Sequence, residues 1–411
     1  MLIKNAYIEN STELQDIRIV NGVFQKIGHQ LVSEKDEEIL DLGGKAVFPP
    51  FIESHVHLDT CLTAGEPVWN KSGTLFEGIE CWSERKKTLT EEDIRTRVNE
   101  AVRMQAKNGI QYVRTHVDIT DPNLLALKTL VKLREELKEL MTIQIIAFPQ
   151  EGILSFPHGK ELLEEAMKLG ADGVGAIPHF EFTREYAVES INYCIDLALR
   201  YDALVDVHCD EIDDPEAKGL EVLACRALET GLKEKVTASH TTAMHSYNNA
   251  YCSKLFRLLK MSEINFVANP LVNTHLQGRF DQYPKRRGLM RVKELMENGN
   301  NVSFGHDDIF DPWYPLRNAD MIDVVHMGLH VGQMMGYDEI MNSYQFITTN
   351  AARTLNLGDS YGIKVGNSAD FVVLNAENFY DVISDRAELL YSFKAGKKII
   401  ETIPAKVELY Y

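Results

Sequence analysis

The chain has 411 residues, of which 45% are hydrophobic and 25% are charged, and this balance is typical of a globular protein with a large core. Its formal net charge of −18 argues against nucleic acids and anionic membranes as partners. The start of the chain lacks the apolar stretch of a signal peptide, and no segment approaches a membrane-spanning length. We therefore expect a cytoplasmic protein whose six cysteines are reduced.

Both ends of the chain have the pattern of short strands. Near the start, two alternating apolar runs in DIRIVNGVFQKIG are joined by Asn21 and Gly22, a pair that suits a hairpin turn because both positions need positive φ. Near the end, ADFVVLN and LLYSFKAGKKIIETI are similar, and the second turns at Ala395 and Gly396. We predict a small β-sandwich domain built from residues 1–48 and 361–411.

The middle of the chain, residues 49–360, has a different sequence pattern. Short apolar runs alternate with helical patterns that stop at glycines such as Gly109 and Gly170. Strands that alternate with helices predict a parallel sheet, and eight of them close a (β/α)8 barrel of the TIM type. The eight runs are KAVFPPFIESHVHL, IQYVRTHVD, TIQIIAFPQ, GVGAIPHFEF, LVDVHCDE, KVTASHT, INFVANPL and NVSFGHDD.

Polar residues collect at the ends of six of these runs. In such a barrel the carboxyl ends of the strands form the active-site face. A buried strand has little reason to finish in His or Asp unless those groups are used, so the pattern predicts a catalytic site. These residues are His55 and His57, His116 and Asp118, Gln150 and Glu151, His208 and Glu211, His240, and Asp307 and Asp308.

Four of these residues predict a metal site. Side chains two apart on a strand point to the same side, so His55 and His57 can face one ion. His208 and Asp307 stand at the matching ends of the fifth and eighth runs. Three histidine nitrogens and one carboxylate suit Zn²⁺ or Fe²⁺ rather than Ca²⁺ or Mg²⁺. We expect a divalent ion at this site, and the ligand types leave iron and zinc as alternatives.

Longer motifs resemble the bacterial cytosine deaminases of the amidohydrolase superfamily, over nearly the whole chain. Two-metal members of that superfamily usually carry a lysine at the end of the fourth strand, and the run GVGAIPHFEF has none. The resemblance therefore implies a site with one metal. The motifs are PPFIESHVHLDT, SGTLFEGIE, RTHVD, FPQEGIL, GAIPHFEFTREY, DVHCDEIDD, TASHTTAMHSYN, NFVANPLVN, LQGRFDQYPKRRG, FGHDDIFDPWYPL and GIKVGNSADFVVL.

The resemblance implies hydrolytic deamination of cytosine to uracil and ammonia by a metal-bound hydroxide. A metal lowers the pKa of its water to about 7, which makes hydroxide available at neutral pH. Among the catalytic residues, Glu211 is implied to shuttle the proton to the ring, and His240 to orient and polarise the water. Asp307 is implied to serve both as a catalytic residue and as a metal ligand, together with His55, His57 and His208.

The resemblance also implies which residues contact the substrate, a small pyrimidine base. Gln150 is implied to bind the ring carbonyl and the adjacent N–H, because an amide offers both an acceptor and a donor. Asp308 and Trp313 are implied to wall the substrate edge. We expect His116, Asp118 and His179 to hydrogen-bond around the site rather than to take part in the reaction.

Two alternatives stay open from the sequence. A related aminohydrolase of isocytosine, isoguanine, a creatinine-like ring or an s-triazine would use the same metal and differ only in its specificity groups. A non-catalytic scaffold on the same fold is disfavoured, because every proposed ligand and both proton-transfer residues are present. The resemblance further implies a homo-oligomer, and a hexamer in particular.

Overall fold

The computed structural model describes residues 1–410, and the strands of this part form two sheets. Tyr411, the last residue of the predicted β domain, lies outside the described residues. The strands are β1 (Leu2–Ile8), β2 (Gln15–Val20), β3 (Val23–Gly28), β4 (Ile39–Phe48), β5 (Phe51–Val56), β6 (Ile110–Asp118), β7 (Thr142–Phe148), β8 (Gly173–Val174), β9 (Leu204–Cys209), β10 (Val236–His240), β11 (Asn265–Ala268), β12 (Asn301–Phe304), β13 (Phe371–Leu374), β14 (Leu389–Lys394) and β15 (Lys397–Glu401).

Helices fill most of the connections between the strands. Within residues 1–410, none of them combines the length and the apolar character needed to cross a membrane. The α-helices are α1 (Leu75–Arg85), α2 (Glu91–Ala106), α3 (Leu125–Glu136), α4 (Gly159–Lys168), α5 (Arg184–Tyr201), α6 (Gly219–Thr230), α7 (Asn249–Ser262), α8 (Pro270–Leu276), α9 (Val292–Glu297), α10 (Met321–Val331), α11 (Tyr337–Met341), α12 (Thr349–Thr354) and α13 (Phe379–Asp385).

The barrel helices begin and end at residues suited to those positions. At the start of α2, the Thr90 hydroxyl accepts a hydrogen bond from the Asp93 backbone N–H at 3.1 Å, which satisfies one of the free donors of the first turn. Gly109 and Gly170 follow α2 and α4 with φ of +83° and +107°. Glycine adopts these angles without steric cost, so both predicted helix stops are confirmed.

The small sheet combines strands from both ends of the chain, in the order β15-β14-β13-β4-β1-β2-β3. Its two predicted hairpin turns are confirmed, because Asn21 and Gly22 have φ of +51° and +79°, and Ala395 and Gly396 have φ of +47° and +71°. The sheet has a hydrophobic cluster of its own. Burial of that cluster stabilises the sheet, and the predicted small β domain is confirmed.

The second sheet contains β5 to β12, all parallel and in sequence order. Its first and last strands meet at their carboxyl ends, where Val56 and Asp307 form a parallel bridge. The Asp307 N–H donates to the His55 carbonyl at 2.7 Å, and the His57 N–H donates to the Asp307 carbonyl at 2.9 Å. These bonds close the predicted (β/α)8 barrel, which is confirmed.

Two prolines separate the small sheet from the barrel. The apolar run KAVFPPFIESHVHL, expected as one barrel strand, divides into the end of β4 and the whole of β5. The division falls at Pro49 and Pro50, because proline has no N–H to donate to a neighbouring strand. Our domain boundaries, between residues 48 and 49 and between 360 and 361, stay predictions.

A buried carboxyl group contacts both sides of the barrel seam, the place where β5 meets the chain that follows β12. Glu53, only 1% exposed, accepts hydrogen bonds from the backbone N–H of His55 at 3.1 Å and of His306 at 2.9 Å. Burial raises the pKa of Glu53 to about 8, against the opposing effect of these two donors. One oxygen of this carboxyl group, Oε1, accepts both bonds and so holds β5 beside the loop that follows β12.

We expect Glu53→Ala to destabilise the protein by about 2–6 kcal/mol, because two buried N–H groups lose their acceptor at about 1–3 kcal/mol each. Glu53→Gln is the matched control, since its amide oxygen can accept both bonds, and we expect it to stay within about 1 kcal/mol of the parent. Denaturant unfolding of the metal-free proteins measures both. Equal stability of the two variants would show that the acceptor oxygen is not what holds the seam.

Candidate active site

The four predicted metal ligands meet at the carboxyl end of the barrel. His55 is the last residue but one of β5, with His57 just beyond the strand, His208 lies on β9, and Asp307 follows β12. The Nε2 atom of His208 lies 3.2 Å from that of His55 and 3.1 Å from that of His57. Oδ1 of Asp307 lies 3.3 Å from Nε2 of His55 and 3.5 Å from Nε2 of His57. The structure thus brings all four residues together, and all are buried.

This donor set fits a divalent metal. Ligand atoms about 2.0–2.2 Å from a tetrahedral ion lie roughly 3.3–3.6 Å from one another, close to the separations of 3.1 to 3.5 Å found here. Burial, reinforced by neighbouring histidines, lowers the pKa of all three rings well below its ordinary value. Neutral rings have nitrogen lone pairs free for an ion, and without one these lone pairs would repel each other.

The raised pKa of Asp307 also suits a bound cation. Burial raises its pKa to about 8, opposed by His240 and assisted by Glu211 and Asp311. A carboxyl group held in its neutral form by burial and by negative neighbours gains the most from a nearby cation. A divalent ion at this point would ionise Asp307 and use the oxygen as a ligand.

Glu211 and His240 form a pair beside the four ligands. His240 Nδ1 lies 3.2 Å from Oε1 of Glu211 and 3.8 Å from Oδ2 of Asp307. Burial alone would lower the pKa of His240, but the charge of Glu211, with a smaller contribution from Asp307, outweighs it and raises the pKa to about 9. Burial likewise opposes ionisation of Glu211, and the charge of His240 lowers its pKa overall. The pair is therefore an imidazolium and a carboxylate at neutral pH.

The backbone is strained where the site is assembled. His240 and Thr241 have φ of +63° and +50°, and Asp307 has φ of +76°. Residues other than glycine rarely adopt this left-handed conformation, and such residues cluster where a function requires a particular side-chain direction. Here the strain aims His240 and Asp307 toward the same point.

A cavity adjoins the ligands, and all three predicted substrate-contacting residues line it: Gln150, Asp308 and Trp313. Sequence reasoning missed three apolar residues of its wall. An apolar residue in a loop or helix carries no pattern that separates a pocket wall from ordinary packing. They are Leu75, Ile177 and Leu276.

Helix α1 covers one side of this cavity. The Trp313 indole N–H donates to the Leu75 carbonyl at 3.1 Å, and Leu75 begins the helix. Gly78 lies against the same indole, where an added Cβ would come within 2.4 Å of Nε1. Only glycine lets α1 pack this closely on Trp313, and this contact fixes the tryptophan ring at the cavity wall.

The three residues expected around the site lie next to it. The His116 ring stacks on His55 with centroids 3.9 Å apart. Asp118 accepts hydrogen bonds from the Trp82 indole at 2.8 Å and from Lys86 at 3.1 Å. His179 Nδ1 accepts from the Glu211 backbone N–H at 3.2 Å. Each therefore contacts a ligand, the cover helix or the proton-transfer pair.

Comparison with known proteins identifies the family. A model of the amidohydrolase family matches residues 38–397. The chain belongs to the amidohydrolase family. A curated relative, N-isopropylammelide isopropyl amidohydrolase of Pseudomonas sp. (strain ADP), is 31% identical over 98% of this chain and 97% of its own. Enzymes of this family use a divalent metal, in agreement with the ligand cluster.

Two solved structures are more similar to this chain. Both are of 5-methylcytosine deaminase from Klebsiella pneumoniae, one liganded with 5-fluorocytosine and one with phosphonocytosine. The first is 49% identical, covers 100% of this chain and 99% of its own, and superposes with a TM-score of 0.97. The second is also 49% identical, covers 100% of both chains, and has a TM-score of 0.96.

We expect the protein to hold one ion per chain, and His240→Asn to keep that ion while losing activity. His240 pairs with Glu211, and no lysine follows β8 to bridge a second metal. Metal analysis of parent and variant, alongside an activity assay, measures this. Two ions in the parent with one lost in the variant would show that His240 is a ligand in a two-metal site.

Proposed function

We propose that the protein is a metal-dependent hydrolase that deaminates cytosine to uracil and ammonia. The observation that carries the proposal is the position of the Glu211–His240 pair, which lies beside the ligand cluster and lines the same cavity as Gln150. The 49% identity to 5-methylcytosine deaminase, over the full length of this chain, supports a cytosine-type base as substrate.

The chemistry requires a nucleophile at neutral pH and a mobile proton. A divalent ion held by the four ligands, Zn²⁺ or Fe²⁺, would lower the pKa of a bound water from 15.7 to about 7. Glu211 is ionised, so it can take a proton from the water and deliver it to the ring nitrogen N3. The charged His240 ring stabilises negative charge that develops near C4. The water oxygen bonds to C4, its second proton passes by way of Glu211 to the amino group, and the C4–N bond breaks. Ammonia leaves, and the C4 carbonyl of uracil remains.

Gln150 gives the cavity its match to a neutral pyrimidine. Its side-chain amide offers one acceptor and two donors, which suits a ring carbonyl beside an N–H. Asp308 and Trp313 complete the wall on the same cavity. A site that hydrogen-bonds a polar group of its substrate discriminates strongly against analogues that lack the group. We therefore propose that Gln150 selects pyrimidines with this pattern.

A second candidate substrate is 5-methylcytosine. The observation that favours it is the similarity to the Klebsiella enzyme named for that base. The metal, Glu211 and His240 would act unchanged, because the methyl group lies at C5 and the reaction occurs at C4. The preference between cytosine and 5-methylcytosine therefore depends on the room that the cavity wall leaves at C5.

The test is a metal-reconstituted assay of ammonia release from cytosine, 5-methylcytosine, isocytosine and isoguanine. We expect a cytosine-type base to have the highest kcat/KM, and Glu211→Gln to lower kcat by at least about 10²–10⁴-fold with its metal retained, because glutamine cannot carry the proton. Glu216→Gln, an exposed carboxylate on the same loop, is the control and should match the parent. A Glu211→Gln variant with near-normal kcat would remove Glu211 from proton transfer.

We expect Asp308→Ala and Asp308→Ser to raise kcat/KM for 5-methylcytosine relative to cytosine. Burial and the carboxyls of Asp307 and Asp311 raise the pKa of Asp308 well above its ordinary value. The bulk of this buried side chain is what opposes a methyl group. A methyl is worth about 1–3 kcal/mol in discrimination, so the ratio should change by tens to a few hundredfold. A ratio that is unchanged in both variants would place the C5 edge elsewhere.

A further inference from the structure

A line of buried polar side chains runs through the barrel interior to one metal ligand. Arg114 Nη1 donates to Oδ2 of Asp206 at 2.8 Å. The Ser239 hydroxyl lies 2.6 Å from Oδ1 of Asp206, and the same hydroxyl lies 3.0 Å from Nδ1 of His55. All four residues are at most 1% exposed. The line therefore joins β6, β9 and β10 to the ligand on β5, away from water.

Arg114, at the end of the line away from the metal ligand, is held in place by several hydrogen bonds. Besides the ion pair, Arg114 donates from Nη1 to the Thr237 hydroxyl at 3.0 Å, from Nη2 to the Thr354 carbonyl at 2.6 Å, and from Nε to the Gln144 side chain at 2.7 Å. A buried ion pair contributes little net stability compared with apolar packing. Its presence in the interior, with all three guanidinium nitrogens and both carboxylate oxygens hydrogen-bonded, points to a role other than stabilisation of the fold.

The hydrogen-bond directions along the line follow from Asp206. As the ion-pair partner of Arg114, Asp206 is ionised and can only accept, so the Ser239 hydroxyl donates its hydrogen to it. The oxygen of Ser239 is then left to accept, and His55 must carry its hydrogen on Nδ1. This arrangement leaves the lone pair of His55 on Nε2, the atom that faces His208 and Asp307.

The other two histidine ligands are held differently. Nδ1 of His208 has no hydrogen-bond partner among residues 1–410, and its ring instead stacks on Phe148 with centroids 3.9 Å apart and an angle of 19°. The His57 ring packs against the rings of His116 and Phe148, with centroids 5.6 and 5.2 Å away. Only His55 of the three is oriented by a side-chain hydroxyl, so a change at Ser239 acts on one known ligand.

We propose that Ser239 is a positioning residue that fixes the tautomer and the direction of the His55 ring, with the Arg114–Asp206 ion pair holding the serine in place, and that this line tightens metal binding. The inference rests on the proposed metal-dependent function. It concerns a residue that lies directly before His240 in the sequence yet acts on a ligand in another strand. Groups that hydrogen-bond the second nitrogen of a ligand histidine typically change metal affinity by about 10–100-fold when removed.

The test compares Ser239→Ala with Ser54→Ala. Both serines are fully buried in barrel strands, and both changes remove one hydroxyl. Ser54 precedes His55 on β5, where alternation turns it to the opposite face, and its hydroxyl has no hydrogen-bond partner among residues 1–410. Zn²⁺ affinity is measured on the metal-free full chain by competition with a chelator. The visible spectrum of the Co²⁺-substituted protein reports the ligand geometry.

We expect Ser239→Ala to bind Zn²⁺ about 10–100-fold more weakly than the parent and to shift the Co²⁺ bands. Ser54→Ala should match the parent in both. Zn²⁺ affinity within twofold of the parent in Ser239→Ala, or an equal loss in both variants, would overturn the inference. The affinities are compared without any substrate, so a metal-binding parent that deaminates no base tested would refute the proposed function while the comparison still decides the role of Ser239.

Discussion

Two backbone hydrogen bonds at the barrel seam set the positions on which the site depends. They link Asp307 to His55 and to His57, so the same contact that closes the barrel also places a carboxylate beside two imidazoles. Without this closure, residues about 250 positions apart in the sequence would have no common point to face. Glu53 strengthens the same seam from inside. The backbone contacts that close the barrel are therefore the same contacts that bring the metal ligands together.

The electrostatics of the site follow from packing so many ionisable groups into an interior without water. Burial favours the neutral form of each group, and the three ligand histidines adopt it. Glu211 and His240 instead take their charged forms, because each stabilises the charge of the other. The result is a set of neutral donors for a cation next to a charged pair for proton transfer, with Asp307 shared between them.

Regular patterns made much of this molecule predictable. The spacing of His55 and His57, the residues at the strand ends and the hairpin turn at Asn21 all follow from local rules of strands and turns. Pro49 and Pro50 marked the split of one apolar run in the sequence, but which sheet each half joins required the three-dimensional context, since either side has the pattern of a strand. Leu75 could not be found, because its role comes from packing of α1 on Trp313. The cytoplasmic location and the homo-oligomer stay predictions.

Strand alternation also explains why the line to His55 was hidden in the sequence. Arg114 and Asp206 each lie two residues before a recognised strand-end histidine, His116 or His208, and so point into the same barrel interior. Ser239 breaks that pattern, because it is adjacent to His240, and neighbours on a strand face opposite sides. The left-handed backbone at His240, with φ of +63°, ends the alternation and turns its ring back toward the ligands. One strained residue therefore lets two consecutive side chains serve the same metal site, the first through His55 and the second through Glu211.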